Sequence, residues 1–345
     1  MPVLENVPNF VVENIYLPDR GTLSNYRQTT KFCNSKIYKR FLPNSLSRVL
    51  ECLFLSKSFE GDSPILVLGD LPLCSKTSQT VFVQTSHLIK SNKNILSFLF
   101  NFKYVISRLL FSFNLHRVHS FIVQTEVMRN MLEKSYPKIK GRVHVLPQPV
   151  PSWLLNSKLK RSSCLKNSVN SLDLFYPAAS YPHKNHRLLS NINLNYEWPI
   201  SSLNLSIAHS LHPAPHISWI HCCGTLSSKQ VLEHYSNADA LLFLSKEESY
   251  GFPLIEAMYI GLPIVCPNLP YSRTLCGNEA IYFDPNCISS LREALVQLKE
   301  MLSDGWWPSW DKQLKFIPSD WESVAVSMLE IVTKERVQVE RIPTW

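Results

Sequence analysis

The sequence predicts an α/β protein of two domains built on parallel strands. Three observations carry that prediction. Short unbroken apolar runs such as Ala240-Leu-Leu-Phe-Leu244 mark strands buried on both faces. Between such runs lie segments of helical spacing, as in Leu254, Ile255, Ala257, Met258 and Ile260. A chain of 345 residues with 45% hydrophobic content is long enough for two ordinary domains.

The elements follow in order. Residues 1–150 form the N-terminal domain, with apolar strands opening Val81–Ile89 (VFVQTSHLI) and Phe121–Leu132 (FIVQTEVMRNML). Between them, Ile95 to Phe113 is mostly Leu, Ile, Val and Phe. On insertion scales its apolar residues gain about 0.3–0.6 kcal/mol each, and Lys103 and Arg108 at about 2.5–3.5 each cancel that gain. A helix packed on a sheet, with its basic edge at a membrane surface, is expected rather than a span. The stretch after Val150 is rich in Ser, Asn, Lys and Arg and reads as a linker over residues 151–171. The C-terminal domain is expected over residues 172–345. It opens on the strand Leu172–Tyr176, with Lys184 in the loop behind it, and ends on an amphipathic helix over Asp320–Lys334 that can also pack back across the domains.

The centre of this domain is Glu247–Met258, EESYGFPLIEAM. It joins the strand 240–244 to a short helix. Pro253 suits the first turn and Gly261 the C-terminal end of that helix. Gly261–Cys266 then reads as the next strand, so the stretch is the loop of a βαβ unit, where ligands of open α/β sheets bind. Helix N–H groups at Phe252 and Leu254 favour an anion such as a diphosphate, and Gly251 leaves room for its approach. Glu248 and Glu256 are placed to accept hydroxyls from sugars. Two glutamates eight positions apart are, by themselves, an ordinary charged helix start; the flanking strands, Gly251 and Pro253 turn the reading toward a sugar-nucleotide site.

E-x7-E around GFPLIEAM, followed by GLPIVCPNLP, resembles the donor-site signature of the retaining glycosyltransferases of family 4 (glycosyl transferases group 1), of the bacterial polysaccharide and lipopolysaccharide type. LDLFYPAASYPHKNHRLL (Leu172–Leu189), CCGTLSSKQVLEHYSNADALLFLS (Cys222–Ser245) and AIYFDP (Ala280–Pro285) are similar to further parts of that family's C-terminal domain. The resemblance implies the GT-B fold, two Rossmann-like α/β domains facing a cleft. It implies that Lys184 binds the donor diphosphate and that His87 faces the donor sugar, although a lone histidine at a strand end is equally a structural residue. Glu248 would position the sugar, Glu256 the ribose, and Thr225 and Leu226 would line the base. Two features depart from the pattern. Ala179 stands where the family often has an arginine, with Arg187 as a substitute, and residues 1–60 show no strand with a glycine-rich loop, so the N-terminal domain reads as shortened.

Composition narrows the classes. The nine cysteines form no C-x-x-C pair, so neither a disulfide framework nor a zinc site is indicated. Met1–Phe10 has no secretory pattern, and a cytoplasmic protein is expected. Nine glycines give no dinucleotide fingerprint and no P-loop, and no D-x-D occurs, so no cofactor and no metal are expected. Residues 1–150 hold 19 Lys and Arg against 9 Asp and Glu, a balance of +10 within a total of +8. No acid stands between Asp70 and Glu126, where there are six cations, Lys76, Lys90, Lys93, Lys103, Arg108 and Arg117. Peripheral contact with the inner face of the cytoplasmic membrane through residues 90–117 is expected, and nucleic-acid binding is not, since no such module is present. The partners implied are a nucleoside diphosphate sugar and a lipid-linked glycan acceptor. A sugar-nucleotide epimerase, a phosphorylase and a non-catalytic binding protein stay open as alternatives.

Overall fold

The computed structural model describes residues 4, 7, 10–18, 34–38, 44–54, 59, 61–89, 98–162 and 170–339. The chain forms two units, Met1–Pro149 with Pro318–Trp345, and Val150–Ile317. Each is an α/β unit built on parallel strands.

In the N-terminal unit, β3 (Ile65–Val67), β4 (Gln79–Phe82), β5 (Val118–Val123) and β6 (Val143–Val145) form a four-stranded parallel sheet in chain order. A separate parallel pair joins β1 (Asn14–Pro18) to β2 (Asn34–Tyr38). Helices α1 (Asn44–Leu53) and α2 (Phe98–Asn114) pack on each other, and α3 (Glu126–Ser135) starts from Thr125, whose side chain accepts the Met128 N–H. Residues 90–97 of the expected membrane segment lie outside the described residues.

In the C-terminal unit, β7 (Leu172–Tyr176), β8 (Ile200–Leu205), β9 (Ile220–Cys222), β10 (Ala240–Leu242), β11 (Ile264–Pro267) and β12 (Ile281–Phe283) form a six-stranded parallel sheet. Its order is β12-β11-β10-β7-β8-β9. This is the doubly wound order 3-2-1-4-5-6, which reverses between its first and fourth strands. Here those are β7 and β10, paired as Ala240 with Leu174 and Leu241 with Phe175. The helices are α4 (Ser152–Ser157), α5 (Ser228–Asn237), α6 (Phe252–Ile260), α7 (Pro270–Cys276), α8 (Ile288–Ser303) and α9 (Asp311–Leu314). Leu241, Leu242, Phe243 and Leu244 are fully buried, as expected of a strand covered on both faces.

Two boundaries differ from the sequence expectation. The segment read as a linker is largely folded onto the C-terminal unit. Leu154 of α4 is in its core, and the Arg161 N–H donates to Ile260 O at 2.6 Å. Residues 163–169 lie outside the described residues. The polar composition here reflects cationic side chains that meet helix ends: Lys160 Nζ donates to Tyr259 O at 2.5 Å, and the Arg161 guanidinium reaches Ser236 O. The last helix, α10 (Trp321–Val339), belongs to the N-terminal unit instead of closing the C-terminal domain. Its apolar face decides this, because Val324, Met328 and Ile331 pack with Phe82, Ile122 and Leu66.

Candidate functional site

Parallel strands deliver the loops at their carboxyl ends to one edge of the sheet, and a ligand crevice opens where the strand order reverses. The loop after β7 carries Lys184; the loop after β10 carries Glu248. The reversal lies between these two strands, and the two side chains meet across it. Lys184 Nζ lies 2.5 Å from Glu248 Oε1, with the side chains only 16% and 10% exposed. The loops are also tied by backbone, since Lys246 N donates to His183 O at 2.7 Å. Two buried tyrosines hold them from below. Tyr176 Oη donates to Lys184 O at 2.9 Å, and Tyr271 Oη donates to Ser245 O at 2.5 Å. Burial, and then the charge of Glu248, raises both phenol pKa values, so both stay protonated donors.

Helix α6 follows from Gly251, which holds φ +88 as its N-terminal cap, and ends on Gly261, also at φ +88. At Gly261 the left-handed conformation lets its N–H reach Ala257 O and Met258 O. A side chain there would meet Arg161 O at 2.6 Å. Pro253 occupies the first turn, as expected. The N–H groups expected to hold an anion are partly engaged: Leu254 N donates to Gly251 O at 2.9 Å. Pro253 has no N–H, so Phe252 supplies the remaining one of the first turn.

Glu256 is placed differently from the sequence reading. That reading put it on the first turn at the mouth of the site. Because the helix starts at Phe252, Glu256 is its fifth residue, one turn deeper and 8% exposed. Its Oε2 accepts the hydroxyl of Tyr235 on α5 at 2.8 Å. Burial raises the carboxyl pKa to about 7, against the lowering effect of that hydrogen bond.

His186, two residues past Lys184, is buried and lies 4.9 Å from the Tyr176 ring. Burial, then the adjacent Lys184 charge, pushes its pKa down to about 4, which keeps the imidazole neutral at pH 7. Arg187, considered as a second cation, is on the exposed side of the turn His186–Asn191. Thr225 is exposed, and Leu226 packs on the core. The tyrosines 176, 235 and 271 were not singled out from the sequence. Their only signal there is apolar spacing, which marks them as core and hides what their hydroxyls hold.

In the N-terminal unit, His87 sits in the single turn Ser86–Leu88 after β4, fixed from several sides. Its N–H donates to Thr85 Oγ1, its carbonyl accepts Arg108 Nε at 2.9 Å, and its ring lies 4.2 Å from that of Tyr104. Asp70 Oδ1 accepts the N–H groups of Gln84 and Thr85 at 2.6 and 3.1 Å, which fixes the start of the same turn. The bond from Arg108 corrects the expected basic edge of α2, for this cation is turned to His87. The outward face is apolar instead: Val105, Leu109 and Phe113 recur every fourth residue, with Leu109 65% and Phe113 55% exposed. Leu50, Leu53 and Phe54, on and just after α1, are exposed as well. The side chain of Lys103 lies outside the described residues, and no helix among them is long and apolar enough to cross a membrane.

The family comparison falls on the C-terminal unit. Residues 207–304, from just after β8 to the end of α8, match the family model described as glycosyl transferases group 1. The chain is 26% identical over 167 residues to the O-antigen chain mannosyltransferase RfbU of Salmonella typhimurium, covering 42% of this chain and 46% of that protein. It is 27% identical over 88 residues to the O-antigen chain mannosyltransferase B of Escherichia coli, covering 26% of this chain and 23% of that protein. The matches thus span less than half the length of these relatives. Among solved structures it is similar to WaaG, a glycosyltransferase involved in lipopolysaccharide biosynthesis. The TM-score is 0.55 at 14% identity, over 89% of each chain.

Proposed function

We propose that a chain with a glycosyl transferases group 1 segment on this fold is a retaining glycosyltransferase. It moves a sugar from a nucleoside diphosphate sugar to a hydroxyl of a lipid-linked glycan in cell-surface polysaccharide synthesis, without a metal ion. The observation that carries the reading is the Lys184–Glu248 pair at the reversal of the C-terminal sheet. Lys184, with the N–H of Phe252 at the start of α6, meets the diphosphate and stabilises the negative charge that grows on it as the glycosidic bond breaks. Glu248 exchanges its ion pair for the hydroxyls of the sugar, and Glu256 accepts the ribose hydroxyls. His87 is assigned to the sugar in transfer. The acceptor hydroxyl attacks the anomeric carbon on the face the nucleotide leaves, its proton passing to the departing diphosphate, so configuration is retained.

The acceptor side of the proposal is an anionic bilayer. The apolar face of α1 and α2 lies in the half of the chain with the +10 balance, and an apolar face in a cationic half suits shallow insertion among acidic headgroups. The reaction is tested with GDP-mannose first, because both curated relatives are named mannosyltransferases, and with UDP-glucose and UDP-N-acetylglucosamine beside it. Transfer to a lipid-linked glycan in excess chelator, with the anomeric configuration kept by NMR, is the expected result. A strict requirement for magnesium or manganese, an inverted product, turnover without acceptor or transfer only to inorganic phosphate each overturns part of the proposal.

A further inference from the structure

Three buried tyrosine hydroxyls support the candidate donor site, but they hold different things. Tyr176 and Tyr271 donate to backbone carbonyls. Tyr235 alone of the three donates to a functional side chain, Glu256 Oε2. Its ring is fixed by full burial and by the edge of Phe175, with centroids 5.2 Å apart. The phenol and the carboxylate come from two helices, 21 residues apart in sequence.

Resting on the donor-site reading above, we propose that Tyr235 is a positioning residue for Glu256. Its hydroxyl occupies one carboxylate oxygen, favours the charged form against burial and leaves the other oxygen to accept ribose hydroxyls, so that affinity for a nucleoside diphosphate sugar depends on this bond.

A carboxylate is the stronger acceptor of two ribose donors when ionised, because protonation turns one of its oxygens into an O–H donor. Burial opposes ionisation, and a hydrogen bond to the charged form favours it. The other titratable neighbours of α6 are engaged elsewhere. Lys160 and Arg161 meet Tyr259 O and Ser236 O. His234 of α5 stacks on Phe175, and Asp239 before β10 accepts the Asp173 N–H. Cys266 of β11 and Cys276 of α7 face each other. Tyr271 and Arg273 of α7 meet Ser245 O and the Tyr282 ring, Glu248 pairs with Lys184, and Asp311 and Lys312 of α9 are exposed. Tyr235 is therefore the neighbour that sets the ionisation of Glu256 against its burial.

The test is calorimetric titration of GDP-mannose and UDP-glucose into the full chain from pH 5.5 to 8.5, with a 13C-carboxyl titration of Glu256 in parallel. In the wild-type protein, binding strengthens as pH rises through about 7. Tyr235→Phe moves that midpoint upward and weakens binding at pH 7 about tenfold, the scale of one hydrogen bond to a charged group. At pH 8.5 the difference shrinks. Tyr271→Phe removes a buried hydrogen bond of the same unit and leaves the Glu256 midpoint in place, which separates positioning from general loosening. Glu256→Gln binds weakly with no pH dependence in this range, and serves if Tyr235→Phe does not fold. Sugars that bind wild type and Tyr235→Phe with one pH profile, or a Glu256 midpoint that Tyr235→Phe leaves unmoved, overturn the positioning role alone. Failure of every nucleotide sugar to bind the wild-type protein overturns the donor-site reading, and this inference with it.

Discussion

The two units bury their apolar residues in different ways. In the C-terminal unit a single cluster runs through all six strands and the helices on both faces, from Val150 to Trp310. Among the described residues of the N-terminal unit the core is divided into four: one cluster lies around Val81, Phe111 and Phe121, two lie under α10, around Met328 and around Leu329, and the fourth is at the strand pair β1–β2. Several exposed apolar residues, Leu46, Leu50, Leu53, Val105, Leu109 and Phe113, lie on α1 and α2. A continuous core fixes the loops at its edge, and this is where a cation, a carboxylate and a neutral histidine are held largely buried. A divided core with an apolar outer face suits attachment to a surface. In the proposed function the donor nucleotide accordingly falls to the C-terminal unit and surface attachment to the N-terminal unit.

The largest effect expected of that division is at Lys184→Met. It removes the diphosphate cation and leaves Glu248 largely buried without its partner. Transfer is expected to fall about 10²–10³-fold, and urea unfolding to show a loss of about 2–3 kcal/mol. Activity within threefold of the wild-type value would dissolve the claim that the pair is the anion-binding centre.

The next effect is pH-dependent stability. The folded pKa of Glu256 is about 7 against an ordinary value of 4.5. The folded state therefore holds a proton that the unfolded state releases. The contribution of this group is full below pH 4.5 and is lost as pH rises through about 7. The loss is about 3 kcal/mol. Urea midpoints of Glu256→Gln, compared with wild type between pH 4 and 8, should lack this decline. Parallel curves for the two proteins would mean that Glu256 is hydrated in solution.

Gly261→Ala comes third. The new Cβ would lie 2.6 Å from Arg161 O at φ +88, a cost of about 2 kcal/mol or more. The indoles of Trp307 and Trp310 donate to Gly261 O and Leu262 O, so their fluorescence reports the damage. Hydrogen exchange should quicken in residues 150–317 and stay unchanged in β3 to β6. Equal loosening of both units would show that they do not fold as separate bodies.

The smallest effect belongs to the other half. Leu109→Glu with Phe113→Glu alters exposed positions of α2, so folding and donor binding are retained. Flotation with anionic vesicles should fall about tenfold, because the two apolar side chains no longer enter the bilayer. Wild type that floats with neither anionic nor neutral vesicles would remove the membrane from the proposal and point to a soluble acceptor.

Much of the C-terminal unit was legible because its signals are local. Leu172–Tyr176 is a strand as read, and the run from Ala240, Pro253 in the first turn and Gly261 at the helix end all stand where spacing and backbone chemistry put them. Glu248, Lys184 and Gly251 were legible as candidates for the same reason, since loops behind buried strands are few. The depth of Glu256 was less so: with Pro253 as the second residue of α6, Glu256 falls fifth, past the mouth of the site and buried. α10 was legible as an amphipathic helix, yet its partner was not, because an apolar face does not say which sheet it covers.

Residue order alone was enough for the α/β class, the parallel strands, the loop that carries Glu248 and the split of charge between the halves. Each of these rests on neighbours within a few positions or on a sum over many. Packing in three dimensions was needed to lay β7 beside β10, which brings Lys184 to Glu248 across 64 residues of chain. It also set Tyr235 against Glu256, Arg108 against His87 and α10 on the N-terminal unit. Strand order and helix docking depend on which of many apolar faces fit together, and the ionisation of a carboxylate depends on what that fit excludes, including water.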